Sequence, residues 1–277
     1  MRLLQKVTQT LLPKTDPPLR EMRIHGARVT YTDEGSAAAR AFVAIHGVPG
    51  SVRDFRYLAP MVTPFARFIR VDLPGSGGSE PRRDALRSLE VRARTVLHLA
   101  HEIGLETFGV VGHSMGGGTA MVTASLAPHR VQPLILIAPM GLRTHQGLSR
   151  SPAAFRRIAL MLRVPFLRSL VLPRVRTHYR KRRFPRADEL TAAEYATQFE
   201  SFSAADFALL RRITKAPLPS KTLVAFADDD HLVEPQIPIE LAEAIPGSRQ
   251  LRFKEGGHII QKTRSREIAQ AMRELLE

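Results

Sequence analysis

The chain has 277 residues, 44% hydrophobic and 24% charged, the composition of a folded protein large enough to bury a sizeable core, as one domain or as a core carrying an insertion. It contains no cysteine, which excludes disulfides, thiolate metal sites, iron–sulfur clusters and a cysteine nucleophile. Its 41 Lys and Arg against 26 Asp and Glu give a net charge of +15, and residues 142–217 alone hold 16 basic and 5 acidic side chains.

The first residues, 1–19, read as an N-terminal extension. Leu3, Leu4, Val7, Leu11 and Leu12 recur at helical spacing up to Pro13, the pattern of a short amphipathic helix packed on the protein's own body or lying on a membrane surface. No apolar stretch has the length of a signal-peptide core or a membrane span, so a cytoplasmic location is expected. Arg23 to Tyr31, broken at His25-Gly26, predicts an opening antiparallel pair of strands.

Short apolar, β-branched runs then alternate with longer amphipathic ones, the rhythm of a mostly parallel sheet with helices on both faces. The predicted strands are Ala41 to His46, Phe68 to Asp72, Phe108 to Gly112, Pro133 to Ile137, Thr222 to Phe226 and a closing one at Gln250 to Phe253. Asp84 to Ile103 predicts one long helix, Gly117 to Ala127 a second and Arg264 to Leu276 the last. The expected fold class is therefore α/β, with a core made of residues 20–141 and 218–277.

Residues 142–217 break the rhythm. No strand is predicted there, the apolar residues fall at helical spacing, and Thr191 with Glu194 and Ser203 with Asp206 have the hydroxyl-to-carboxylate spacing of a helix start. The segment is expected to be a basic helical cap, with Phe155, Leu162, Phe166, Leu167, Tyr195 and Phe199 either roofing a pocket or packing on one another. Its charge could attract anionic surfaces, but the run around Arg174 to Arg186 matches no nucleic-acid module; no nucleic-acid partner is expected, and contact with an anionic membrane is kept as an alternative.

Several segments carry the chemistry. Gly112-His113-Ser114-Met115-Gly116 fits G-x-S-x-G between a predicted strand and a predicted helix, the context in which a sharp turn exposes a serine hydroxyl and leaves no room for side chains at Gly112 and Gly116. His46-Gly47-Val48-Pro49-Gly50 follows another strand and could aim the Val48 N–H at the point targeted by the Met115 N–H, making an oxyanion hole supported by His46 and Gly47. Asp228-Asp229-Asp230 ends a third strand, and Gly256-Gly257-His258 follows the last. The histidines His98 and His101 share a helix face without a third ligand, and neither metal nor cofactor is expected.

Over nearly its whole length this sequence resembles the cap-bearing branch of the α/β-hydrolase superfamily. The resemblance rests on His46 to Pro49, on Val71-Asp72-Leu73-Pro74-Gly75-Ser76-Gly77-Gly78-Ser79, on Gly112 to Gly117, on Ala227 to Asp230 followed by Leu232-Val233, and on Gly256 to His258. It implies Ser114 as nucleophile, Asp230 as the acid and His258 as the base, with Asp228 and Asp229 as weaker candidates because Ala227 stands where the family has glycine. A serine at the nucleophile position separates it from the epoxide-hydrolase and haloalkane-dehalogenase branches, which use aspartate there. The expected activity is hydrolysis of an ester or related acyl substrate, a small and apolar molecule. Carbon–carbon, lactone or amide cleavage by the same residues is an alternative, as is a non-catalytic ligand- or partner-binding protein on the same fold. The sequence leaves the oligomeric state open.

Overall fold

A computed structural model of the chain describes residues 16–148, 150–181 and 187–277; the amphipathic segment from Leu3 to Leu12 lies outside the described residues. Eight strands form one sheet: β1 (Arg20–Ile24), β2 (Ala27–Glu34), β3 (Ala41–Ile45), β4 (Arg67–Val71), β5 (Phe108–His113), β6 (Val131–Ile137), β7 (Thr222–Ala227) and β8 (Arg249–Phe253). Their order is β1-β2-β4-β3-β5-β6-β7-β8. The first two pairings, β1 with β2 and β2 with β4, are antiparallel and every other pairing is parallel.

The central strands are apolar on both faces because helices cover both. Val43 and Ile45 of β3 face one core and Phe42 and Ala44 the other, as the two-residue period of a strand requires. Among the described residues the α-helices are α1 (Ala59–Val62), α2 (Arg83–Leu86), α3 (Leu89–Glu102), α4 (Met115–Leu126), α5 (Pro152–Arg163), α6 (Pro165–Lys181), α7 (Ala192–Phe202), α8 (Phe207–Ile213), α9 (Gln236–Ala244), α10 (Ile260–Thr263) and α11 (Ser265–Glu274). Leu89, Val96 and Leu99 of α3 and Met121 of α4 pack on the first face, and Val62 of α1 with Ile268 and Met272 of α11 on the second.

The helix expected from Asp84 to Ile103 is two helices, α2 and α3. Ser88 is extended (φ −144°, ψ 123°) and its Oγ accepts from the Val91 N–H at 3.3 Å, so it starts α3 rather than continuing α2. The buried Arg92 guanidinium donates back to the carbonyls of Ala85 (2.7 Å) and Leu86 (2.9 Å), satisfying the end of α2 with a side chain from α3. The last helix, expected from Arg264 to Leu276, is α11, and the short α10 precedes it.

Helices α5 to α8 lie between β6 and β7. The Thr191 capping box is present, with its Oγ1 accepting from Glu194 N–H at 3.2 Å and the Glu194 carboxylate accepting from Thr191 N–H at 2.7 Å. At the other expected start, Asp206 rather than Ser203 caps α8, accepting from Leu209 N–H at 2.9 Å, while Ser203 closes α7. The aromatic side chains turn inward on one another: Phe155 stacks on Phe199 (6.0 Å between centroids) and Tyr179 meets Tyr195 edge-on (4.8 Å). Buried Glu200 ties the insertion together and to the core, pairing with Arg163 at 3.2 Å and Arg87 at 3.6 Å. Among the described residues no helix is long and apolar enough to cross a membrane.

The carboxylate of Asp72, at the end of β4, is almost fully buried and accepts from Thr30 Oγ1 (2.7 Å), Val52 N–H (2.8 Å) and Gly78 N–H (3.0 Å). It thus joins β2, the loop after β3 and the loop after β4. Asp72→Ala leaves these donors in a dry interior and is expected to cost about 3 kcal/mol or more of unfolding free energy, measured by urea denaturation.

Candidate active site

Three loops at the carboxyl ends of the parallel strands bring the candidate residues together, the edge at which an open parallel sheet places its site. Ser114 joins β5 to α4 with φ 54° and ψ −121°, a left-handed conformation that costs a non-glycine residue about 1–3 kcal/mol. The surrounding backbone holds it there. Ser114 N–H donates to Ile137 O (2.9 Å), and Ser114 O accepts from Gly117 N–H (2.9 Å) and Met140 N–H (3.1 Å). A Cβ on Gly116 would collide with the carbonyl oxygens of Ile45 and His46, and one on Gly112 would meet Gly116 O and the Ala120 methyl. Both glycines are therefore needed for close approach.

His258 Nε2 lies 2.9 Å from Ser114 Oγ, and His258 Nδ1 lies 2.8 Å from Asp230 Oδ2. Because a carboxylate oxygen only accepts, Nδ1 carries the proton of the neutral ring and Nε2 presents its lone pair to the serine hydroxyl. The other Asp230 oxygen accepts from the N–H groups of Leu232 (2.8 Å) and Val233 (3.0 Å). Burial by itself would raise the Asp230 carboxyl, but the hydrogen bond and charge of His258 and those two N–H groups outweigh it and hold the carboxyl below its usual value.

The three consecutive acids after β7 have distinct partners. Asp228 pairs with Arg252 at 2.7 Å, and only Asp230 reaches the histidine. Asp229, weighed from sequence as another candidate acid, instead accepts from the N–H groups of Gly256 and Gly257, both at 2.8 Å, clamping the loop that carries His258. The same loop is held by Thr263 Oγ1 on Gly256 O and by Arg264 Nε on Glu255 O, each at 2.8 Å. His113 donates through Nε2 to His258 O at 2.9 Å, away from the Ser114 hydroxyl. Burial, with His258 adding to it, pushes the His113 imidazole down to about 3, so it is neutral at physiological pH.

The loop after β3 packs directly on the elbow. A Cβ on Gly47 would lie 3.0 Å from His113 Nδ1 and 3.1 Å from the Ser114 Cβ. His46 is fully buried; its Nε2 accepts from Leu73 N–H (3.0 Å), which leaves Nδ1–H to donate to Gly47 O (2.6 Å). Val48 and Met115 both line the pocket beside Ser114, and neither N–H has a hydrogen-bond partner among the described residues. Met115 is the first residue of α4, whose leading N–H groups have no acceptor within the helix.

The pocket has a volume of about 270 Å³ and is walled mainly by apolar groups, with Met140, Leu148, Phe202, Leu232 and Val233 around Ser114 and His258. From the insertion, Phe202 and Leu148 reach it. The expected ceiling residues do not: Phe155, Leu162, Tyr195 and Phe199 are buried in the insertion's own core, and Phe166 is 76% exposed. Three polar groups in the wall were not singled out from sequence. Lys262 Nζ lies 3.5 Å from Asp54 Oδ1, and burial raises the Asp54 carboxyl above its usual value despite Lys262 and His46. His145, whose Nδ1 donates to Leu232 O at 3.1 Å, is pushed down by burial to about 4. Lys262 stands in α10, four residues after His258; only that closeness in sequence could have flagged it. His231, next to Asp230, is exposed and lines the pocket. Among the described residues no group of three His, Asp or Glu side chains is arranged to hold a metal ion.

Residues 40–265, most of the chain, match the family model for the α/β hydrolase fold. In sequence, 119 residues are 38% identical to the dihydrolipoyllysine-residue acetyltransferase component of the acetoin cleaving system of Cupriavidus necator, covering 43% of this chain and only 31% of that protein. A longer match, 27% identical over 260 residues, takes in 86% of this chain and 85% of the 2-hydroxy-6-oxononadienedioate/2-hydroxy-6-oxononatrienedioate hydrolase of Cupriavidus pinatubonensis. Among solved structures, the enol-lactonase from Burkholderia xenovorans superposes with a TM-score of 0.73 at 21% identity, over 93% of this chain and 99% of that one. The sheet order, the strand-end loops and the extent of the family match lead to one assignment: this chain belongs to the α/β hydrolase family of enzymes.

Proposed function

We propose that the protein is a serine hydrolase of esters or related acyl compounds, with Ser114 as nucleophile, His258 as general base and acid, and Asp230 as the carboxylate that orients His258. The observation that carries this reading is the continuous hydrogen-bond relay from Asp230 through His258 to Ser114, 2.8 and 2.9 Å, opening on one apolar pocket. A serine hydroxyl is too weakly acidic to attack unaided. His258 Nε2 takes its proton as Oγ bonds to the acyl carbon, and Asp230 stabilises the imidazolium so formed. The free N–H groups of Val48 and Met115 receive the oxyanion of the tetrahedral intermediate. Collapse breaks the bond to the leaving group, which takes the proton from His258. Water, deprotonated by the same nitrogen, then cleaves the acyl-enzyme and restores Ser114.

At about 270 Å³ the pocket is at the small end for a ligand site, which supports a compact acyl group over a long chain. A second reading is favoured by the relative that matches over most of its length, a hydrolase of a dioate: the same three residues would cleave a carbon–carbon bond beside a ketone, and Lys262 in the wall would meet a carboxylate. Lactone opening, suggested by the enol-lactonase of like fold, uses the same steps.

A series of p-nitrophenyl esters tests the first reading. Turnover is expected to be fastest with acetate or butyrate and to fall with longer chains, and Ser114→Ala and His258→Ala should each lower kcat by about 10³-fold or more with unchanged circular dichroism. A fluorophosphonate should label the wild-type protein and not Ser114→Ala. Labelling without ester turnover would move the assignment to carbon–carbon or lactone cleavage, and absence of both would leave a binding protein on a hydrolase fold. Asp229→Ala, which frees the loop carrying His258, is expected to lower kcat about tenfold with little change in KM.

The buried histidines set a pH dependence of stability. Below about pH 6.5 the unfolded chain protonates both His113 and His145, whereas the folded protein takes up those protons only near about 3 and about 4. The unfolded state therefore binds more protons in that window, and stability falls with decreasing pH by ~1.4 kcal/mol per unit for each histidine. Urea melts between pH 6 and 5 should approach this slope, and His113→Gln should remove about half of it.

A further inference from the structure

The two helices that open the insertion, α5 and α6, carry eight basic residues and no acidic one between Pro152 and Lys181. Their inward faces are already filled by Phe155, Ala159, Leu162, Val175 and Tyr179. Four further apolar side chains stand in water: Phe166 is 76% exposed, Leu160 63%, Leu170 50% and Val164 38%. These four bracket the junction at Val164-Pro165 where one helix ends and the next begins. Four-residue spacing puts Arg156 and Leu160 on one stripe of α5 and Phe166 and Leu170 on one stripe of α6, with Val164 extended at the junction between them. One exposed leucine on a surface is ordinary; a phenylalanine and three aliphatic residues within eleven positions, set among cations, form a patch of the kind that marks a contact surface.

The cations are available. Arg163 and Arg180 are paired, with Glu200 and Asp188 respectively, but Arg156, Arg157 and Arg168 are exposed and meet no carboxylate among the described residues. We propose that this corner docks the protein on an anionic lipid surface. Phe166, Leu160 and Leu170 enter the boundary between headgroups and acyl chains, and Arg156, Arg157 and Arg168 lie at the level of the lipid phosphates. Charge selects this occupant. A second copy of the chain docked face to face would bring two all-basic surfaces together, and a nucleic acid would engage the arginines while leaving Phe166 and Leu160 in water. A bilayer bearing anionic headgroups satisfies both halves of the patch. The inference concerns binding alone and stands whether or not the proposed reaction is correct.

Co-sedimentation of the purified full chain with vesicles tests it, using phosphatidylcholine alone and phosphatidylcholine mixed with phosphatidylglycerol, at low and high salt. Expected is binding to the mixed vesicles only, weakened by salt. Phe166→Ser should weaken it about tenfold, and the combined Arg156→Gln, Arg157→Gln, Arg168→Gln variant by more than that. All four positions are exposed, so the variants should fold as the parent does, which circular dichroism checks. Absence of binding to mixed vesicles overturns the proposal, as does equal binding to both vesicle types. Retention by both variants would put the contact elsewhere on the chain. Loss in the arginine variant alone, with duplex DNA competing for the wild-type protein, would mark a purely electrostatic polyanion surface. A concentration-dependent dimer abolished by Phe166→Ser, without vesicle binding, would assign the corner to self-association.

Discussion

The arrangement of the whole site depends on one close contact: the absence of a side chain at Gly116, which lets the first turn of α4 rest on the carbonyl oxygens of Ile45 and His46 at the end of β3. A single methyl group there would push α4 off the sheet. With α4 goes the geometry of Ser114, whose left-handed backbone is stable only because Ile137, Gly117 and Met140 bind its N–H and C=O from both sides. Beside it, Gly47 sits against the Ser114 Cβ, so the loop after β3 also packs on the elbow without room for a side chain. Strain at the serine is thus balanced by packing across two strands rather than within the turn.

Around that contact, loops from distant parts of the chain are held by hydrogen bonds that do not involve the proposed reacting atoms. Asp72 ties the loop after β3 to β2 and to its own loop. Asp229 and His113 hold the loop carrying His258 from two directions. Each of these groups is satisfied mostly by backbone donors or acceptors, which are rigid, so the imidazole reaches the hydroxyl without an ordering step when substrate enters. The pocket's buried histidines, His113 and His145, are kept neutral by desolvation, which leaves Asp230 as the carboxylate facing His258 without a competing cation beside it.

Much of this was legible in the sequence because it is written in short range. Apolar runs such as Phe42 to Ile45 and Leu223 to Phe226 are strands because both faces are covered, and the glycines at 112 and 116 signal close approach by themselves. What escaped depends on partners far along the chain. The break between α2 and α3 is fixed by Arg92 reaching back to Ala85 and Leu86, and nothing in the local periodicity announces it. Asp229 differs from Asp230 only by one position in a row of three acids; the turn that follows β7 sends one to the glycine loop and the next to the histidine, and no local periodicity distinguishes them. The aromatic residues of the insertion read equally well as ceiling or core from spacing, and the ring contacts among Phe155, Tyr179, Tyr195 and Phe199 decide for core.

The insertion therefore has two faces with different physical demands. Its interior is a small aromatic core anchored to the sheet through buried Glu200 and the arginines at 87 and 163, which gives Phe202 a fixed position at the pocket. Its outer corner keeps apolar groups in water beside Arg156, Arg157 and Arg168, which meet no carboxylate among the described residues, an arrangement that raises the repulsion within the chain. The charge excess of residues 142–217 is thus segregated from the proposed chemistry: the pocket wall contains one lysine next to an aspartate, and the exposed arginines at 156, 157 and 168 are on helices α5 and α6, which contribute no residue to that wall.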